Sequence, residues 1–197
     1  MSNPTKGKKL PAEPLTKAEA EALLMACSNR APTGIRDKAL IAVLWRTGLR
    51  VGEALALVPK DLDLQAGTCR VLHGKGDQMR LVGMDAGTVA ALSRWLDRRA
   101  TLGMNGRQPV FCTLSGGPVS QIQVRAMLKR RARRAGVERR VHPHAFRHTH
   151  AFEMANEGKP LHVIQSQLGH SSLATTSRYV QHLGTQAVID IVRARTW

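Results

Sequence analysis

Asp61-Leu62-Asp63-Leu64-Gln65-Ala66-Gly67-Thr68-Cys69-Arg70-Val71-Leu72-His73-Gly74-Lys75-Gly76-Asp77-Gln78-Met79-Arg80-Leu81-Val82 is the stretch where the hydrophobic period changes from helical to extended. Residues 61–64 alternate, Gln65-Ala66-Gly67 turns, and residues 68–72 read as a second strand. Gly74-Lys75-Gly76-Asp77 turns again into residues 78–82, so the pattern predicts a three-stranded antiparallel meander. Helical signals flank it on both sides. Upstream, Thr16-Lys17-Ala18-Glu19 is a capping box opening a helix expected to reach about Asn29, with Leu15, Ala22, Leu23 and Ala26 near one face. Thr33 opens the next, striped by Ile35, Ala39, Leu40, Val43 and Leu44 and closed by Gly48 as a left-handed cap. A short helix from Leu49 to Leu57 stops before Pro59. Downstream, Asp85 caps a helix to about Ala100, Ser120 another to about Ala135, and further helices fill the C-terminal third. Residues 1–14 read as a flexible tail or linker stub, and residues 15–197 as one domain. The predicted class is mainly α with a small three-stranded antiparallel sheet, α+β.

Composition narrows the partners. The chain has 197 residues, 43% hydrophobic and 22% charged, which suits a folded domain with a real core. Its 30 Lys and Arg against 14 Asp and Glu leave a formal charge of +16. Such a surface attracts polyanions, nucleic acid first and an anionic membrane surface second. The longest apolar run, Ala39 to Trp45, falls far short of the ~20 residues a membrane span needs. The N-terminus lacks the apolar stretch of a secretory signal. Cys27, Cys69 and Cys112 are odd in number and widely spaced, which suits a reducing cytoplasm and reads as three small core residues.

Four groupings carry chemistry. Tyr179 is the only tyrosine, with His170 nine residues upstream in Leu168-Gly169-His170. A lone tyrosine is ordinarily a core residue with a wet hydroxyl, so its neighbours decide its meaning. His144-Ala145-Phe146-Arg147 sets an imidazole and a guanidinium on one helical face. Arg50-Val51-Gly52-Glu53 repeats that spacing with a cation and a carboxylate. Alone, that pair fits a helix-surface ion pair worth ~0.3–0.5 kcal/mol as well as an arginine held in a fixed pose. Gly74-Lys75-Gly76 likewise suits any hairpin turn.

Taken in order, Thr47-Gly48-Leu49-Arg50-Val51-Gly52-Glu53, Gly74-Lys75-Gly76, His144-Ala145-Phe146-Arg147-His148-Thr149 and Leu168-Gly169-His170 through Tyr179 resemble the catalytic domain of the tyrosine recombinases, the phage integrases and Xer-type enzymes. The likeness runs from about Leu15 to Leu183. It implies the DNA breaking-rejoining fold and a site-specific recombinase that cleaves and rejoins duplex DNA through a 3′-phosphotyrosyl bond on Tyr179. Attack on a phosphodiester builds charge on the non-bridging oxygens, and fixed donors must wait there. Arg50 and Arg147 offer planar forks of N–H groups for that task, and His170 a further donor. A phenol with a pKa near ~10 needs a proton acceptor, the role that falls to His144. Lys75 would protonate the departing 5′ oxygen, and Glu53 would buttress Arg50. The resemblance implies neither cofactor nor metal.

Two rivals share parts of this reading. A type IB topoisomerase has the same chemistry but relaxes supercoils, and a non-catalytic DNA-binding accessory factor would need no nucleophile. The crowded His142, His144, His148 and His150 could be read as metal ligands, but no carboxylate or cysteine stands at ligand spacing and Arg147 among them repels a cation.

From Arg125 to Arg140 the chain holds Arg125, Lys129, Arg130, Arg131, Arg133, Arg134, Arg139 and Arg140 against the single acid Glu138. Charge runs are usually solvated faces, but so many of one sign repel one another unless a polyanion lies across them. The first six are the expected DNA contacts. With only three Trp, three Phe and one Tyr, base stacking is not the expected mode. No N-terminal core-binding domain, which family members usually carry, is expected within this chain. Residues 185–197 are too short for a lone stable helix and must dock, on their own domain or on a neighbouring protomer. The expected setting is a homotetramer on double-stranded DNA, cytoplasmic and nucleoid-associated, with no membrane and no small-molecule substrate.

Overall fold

The structure, a computed structural model, describes residues 14–72, 79–169 and 193. Its centre is a helix that is apolar nearly all round. Ala39, Leu40, Ile41, Ala42, Val43, Leu44 and Trp45 are all buried, so this helix needs neighbours on every side. It is α2, Pro32–Thr47, and α1 (Lys17–Met25), α3 (Val51–Ala56), α4 (Ala86–Thr101) and α6 (Pro143–Asn156) all pack against it. The apolar run that is too short for a membrane is the sign of this central helix. Among the described residues no helix is long and apolar enough to cross a membrane.

A short 3-10 turn, Pro59–Asp61, leads into β1 (Leu62–Asp63), β2 (Thr68–Val71) and β3 (Arg80–Gly83). They form an antiparallel sheet in the order β1-β2-β3, with Cys69 opposite Leu62 on one side and Val82 on the other. α5 (Gln121–Arg134) and α7 (Leu161–Leu168) complete the described elements. The expected mainly α fold with a small three-stranded sheet is the observed one. Cys27, Cys69 and Cys112 are buried free thiols, and burial pushes the first two up to about 11.

Caps fall where the sequence places them. Thr16 and Glu19 exchange bonds across the first turn of α1, Asp85 accepts from the Thr88 N–H, and Ser120 from that of Gln123. Three boundaries differ. α1 ends at Met25 instead of Asn29, because the Ser28 hydroxyl accepts the Arg30 and Ala31 N–H groups and turns the chain. Its buried positions are Ala20 and Leu23, flanked by Leu15 and Cys27, whereas Ala22 and Ala26 are only partly covered. α2 opens at Pro32, whose missing N–H costs nothing there. α3 opens at Val51, two residues later than expected, which leaves Arg50 outside the helix as its N-cap.

Gly48 joins α2 to that N-cap with φ 66°. A Cβ there would lie 2.6 Å from Leu168 and 2.7 Å from His150, so both backbone and packing exclude a side chain. Gly48→Ala is expected to lower stability by about 2–4 kcal/mol, left-handed strain and overpacking together. Urea unfolding of the two proteins measures it.

Candidate active site

The Thr47-Gly48-Leu49-Arg50 turn is built by its own side chains. Thr47 Oγ1 donates to the Val43 carbonyl at 2.6 Å and accepts the Leu49 N–H at 3.3 Å. The chain then leaves α2 through Gly48 and presents Arg50 at the mouth of α3. Glu53 accepts the Arg50 backbone N–H and an Arg50 guanidinium N–H, both at 2.8 Å. The Glu53 side chain is only 7% exposed and that of Arg50 44%. This pair is therefore no helix-surface ion pair: one partner caps the helix and the other is a buried carboxylate. Burial raises the Glu53 pKa, and bonds from Arg80 and Arg50 outweigh it, leaving the carboxyl below its usual range.

His144 and Arg147 lie on the first turns of α6. His144 is exposed, while Arg147 is 3% exposed. The Arg147 guanidinium donates to the Gly48 carbonyl at 2.7 Å and to that of Leu168 at 2.8 Å. It thus ties the turn before Arg50 to the end of α7. Partial burial, then the charges of Arg147, Arg50 and Arg125, hold the His144 pKa below the usual imidazole value. The Arg147–Gly48 bond sets Arg147 against the turn that carries Arg50, and His144 stands one helical turn before Arg147 on α6. His142 is held low by burial and by His144, Arg140 and Arg125. His150, buried against Gly48, is pushed down to about 4, chiefly by burial. Among the described residues no group of three or more His, Cys, Asp or Glu is arranged to hold a metal ion.

Lys75, His170 and Tyr179 lie outside the described residues, as does the segment 185–197 apart from Arg193. The basic run divides. Arg125, Lys129, Arg130, Arg133 and Arg134 are exposed along α5. Arg131 turns inward instead, donating to Asp37 at 2.7 Å and to the Ala26 carbonyl at 3.3 Å. The expectation that it contacts DNA needs correcting on geometry: it shares the buried face of Val124, Met127, Leu128 and Ala132. Its side chain is 17% exposed against 3% for Asp37. Arg139 is likewise drawn back to Glu19 and the Pro14 carbonyl.

Two site residues escape the sequence reading. Arg80, on β3, donates through both terminal nitrogens to Glu53, at 3.1 and 2.8 Å. A signal for it exists: alternation puts Arg80 on the same face as buried Val82, and an inward arginine requires an acid. Gln167 of α7 bonds both the N–H and the carbonyl of Gly83, at 3.1 and 3.0 Å, and reaches the Thr47 carbonyl at 3.4 Å. Nothing in its local sequence marks it.

Residues 13–185 match the model of the phage integrase family, and the chain belongs to that family. It is 38% identical over 177 residues to a tyrosine recombinase XerC of Xanthomonas axonopodis pv. citri, covering 90% of this chain and 56% of the relative. A crystal structure of XerA recombinase superposes with a TM-score of 0.82 at 31% identity, over 100% of this chain and 68% of that one. The XerH site-specific recombinase bound to its palindromic difH substrate after cleavage gives 0.77 at 30% identity, over 98% and 55%. The fold is thus that of the tyrosine recombinase catalytic domain. The chain spans about half the length of the curated relatives it matches.

Proposed function

We propose that this chain is the catalytic domain of a site-specific DNA recombinase that cleaves and rejoins duplex DNA through Tyr179. The observation that carries the reading is the bond from Arg147 of α6 to the Gly48 carbonyl, two residues before Arg50, with exposed His144 one turn ahead of Arg147 on the same helix. Two guanidinium groups, one tied to Glu53 and one to the Gly48 and Leu168 carbonyls, suit a phosphodiester, and an exposed imidazole suits a phenol proton.

In the proposed reaction the Tyr179 phenol oxygen bonds to phosphorus as the bond to the 5′ oxygen breaks. His144 takes the phenol proton, and its depressed pKa leaves the acceptor form in excess at neutral pH. Arg50, Arg147 and His170 hold the non-bridging oxygens, where charge grows. Lys75 gives a proton to the leaving 5′ oxygen. The phosphotyrosyl bond keeps the phosphodiester energy, so a 5′ hydroxyl restores the backbone by the reverse steps. A nicked suicide duplex, which loses the 5′ fragment on cleavage, should accumulate a covalent protein–DNA adduct. A chain that binds the duplex but never forms one would overturn the reading.

The exposed cations of α5 are the proposed DNA-backbone face, next to the site through Arg125. The XerH site-specific recombinase bound to its palindromic difH substrate supports that partner; a tetramer on DNA in the cytoplasmic nucleoid is proposed with it. Changing Lys129, Arg130, Arg133 and Arg134 together to Gln should flatten the log–log salt dependence of binding, by ~0.9 per lost phosphate contact. Arg131→Gln should leave that slope in place and cost about 1–3 kcal/mol of stability, because it removes the charged partner of Asp37 Oδ2 and leaves buried Asp37 with Arg36 on its other oxygen. Equal slopes for both proteins would show α5 to be a solvated face.

A further inference from the structure

Glu53 sits between two arginines. Oε1 accepts from Arg50 Nη1 at 2.8 Å and Arg80 Nη1 at 3.1 Å; Oε2 accepts from the Arg50 backbone N–H and Arg80 Nη2, both at 2.8 Å. Every bond on the proposed catalytic side is thus mirrored by one from Arg80. The Arg80 side chain is 16% exposed, much less than the 44% of Arg50. Its Nε is buried and has no hydrogen-bond partner among the described residues. A surface ion pair would leave that donor to water; here the fold carries the cost.

The flat face of the same guanidinium is covered. A Cβ added to Gly169 would lie 2.6 Å from both Cζ and Nε of Arg80, so the Gly169 backbone stacks against it. Gly169 has φ 67°, ends α7 and directly precedes His170 in sequence. Arg80 also begins β3, and Lys75 stands five residues before it. One side chain on the strand that follows Lys75 in sequence therefore meets the carboxylate that holds Arg50 and the end of the helix before His170.

We propose that Arg80 is a positioning residue for the phosphodiester chemistry, clamping Glu53 edge-on and Gly169 face-on so that Arg50 is held in one pose. The inference rests on the proposed function for its consequence, and on geometry alone for the clamp. Among the described residues the half-exposed Arg50 side chain bonds to Glu53, so its pose is as firm as that carboxylate. Removing the opposing fork frees Glu53 to turn. Misplacing a reacting contact by about 1 Å can cost about 10²-fold in rate.

The experiment uses the full chain and its Arg80→Ala, Arg80→Lys and Arg80→Gln variants, with melting curves to identify the folded ones. Two readouts are taken: single-turnover cleavage of a suicide duplex with separate measurement of duplex affinity, and nitrogen NMR of the Arg50 guanidinium. Arg80→Ala is expected to cleave about 10- to 100-fold more slowly with affinity changed less than about twofold. Its Arg50 signals should show free guanidinium rotation where the wild type shows restricted rotation. Arg80→Lys should restore only part, since an ammonium cannot bond both carboxylate oxygens in parallel. If Ala does not fold, Gln, which keeps a donor, carries the same readouts with a smaller expected loss. Unchanged Arg50 rotation in a folded variant overturns the proposal, as does wild-type cleavage. Absence of adduct in the wild type itself would instead sink the recombinase reading, and the NMR arm would still decide the clamp.

Discussion

Tyr179→Phe is expected to abolish the covalent adduct on a nicked suicide duplex while leaving duplex affinity within about twofold. The substitution removes one oxygen and keeps the ring, so packing around residue 179 is disturbed as little as any change allows. No other tyrosine exists in the chain to take over the attack. Ser171, Ser172, Thr175, Thr176 and Ser177 lie between His170 and Tyr179, but none of them occupies the tyrosine's position nine residues after His170. The measurement is denaturing gel electrophoresis of labelled duplex after incubation, beside a binding titration. Adduct at wild-type yield in Tyr179→Phe would remove the nucleophile from the scheme, and with it the proposed transesterification.

Arg147→Ala should slow cleavage by at least ~10²-fold, the usual cost of one lost preorganised donor. The structure adds a reason for a larger loss. Arg147 bridges the Gly48 and Leu168 carbonyls, so truncation also unties the turn before Arg50 from the end of α7. Two buried carbonyls would then lack their charged donor. Arg147→Lys separates the two contributions. An ammonium restores the charge but cannot span both carbonyls in the fork that sets their spacing. Partial rescue, read as cleavage rate against melting temperature, is the expected result. Full activity in Arg147→Lys would show that a point charge suffices.

Much of this architecture is written locally. The capping residues Thr16, Asp85 and Ser120 act within four residues of themselves, so their sequence context is their structural context. The sheet is legible for the same reason, since alternation and tight turns are short-range patterns. What escapes is decided at a distance. Whether residue 50 lies in α3 or before it depends on Gly48 packing against His150 and Leu168, far along the chain. Arg131 belongs to a charge run by sequence, yet Asp37, ninety-four positions away, draws it inward. A helical wheel of α5 would have flagged it, because it falls between Met127 and Leu128 on the apolar side. Arg80 is hidden differently: its partner Glu53 stands on α3, outside the sheet, and only the burial of Val82 shows which way the arginine points.

The Gln167 contact reaches beyond the site. Among the described residues β3 is the outer strand of its sheet, and an outer strand offers unpaired backbone groups to any other chain in extended form. At Gly83 both of those groups are taken by one amide, which donates and accepts as a neighbouring strand would. A helix side chain here ends the ladder as a doorstop ends the travel of a door. The contact that seats α7 against β3 therefore also closes that position to edge-to-edge aggregation, a service to solubility that no catalytic role would have demanded.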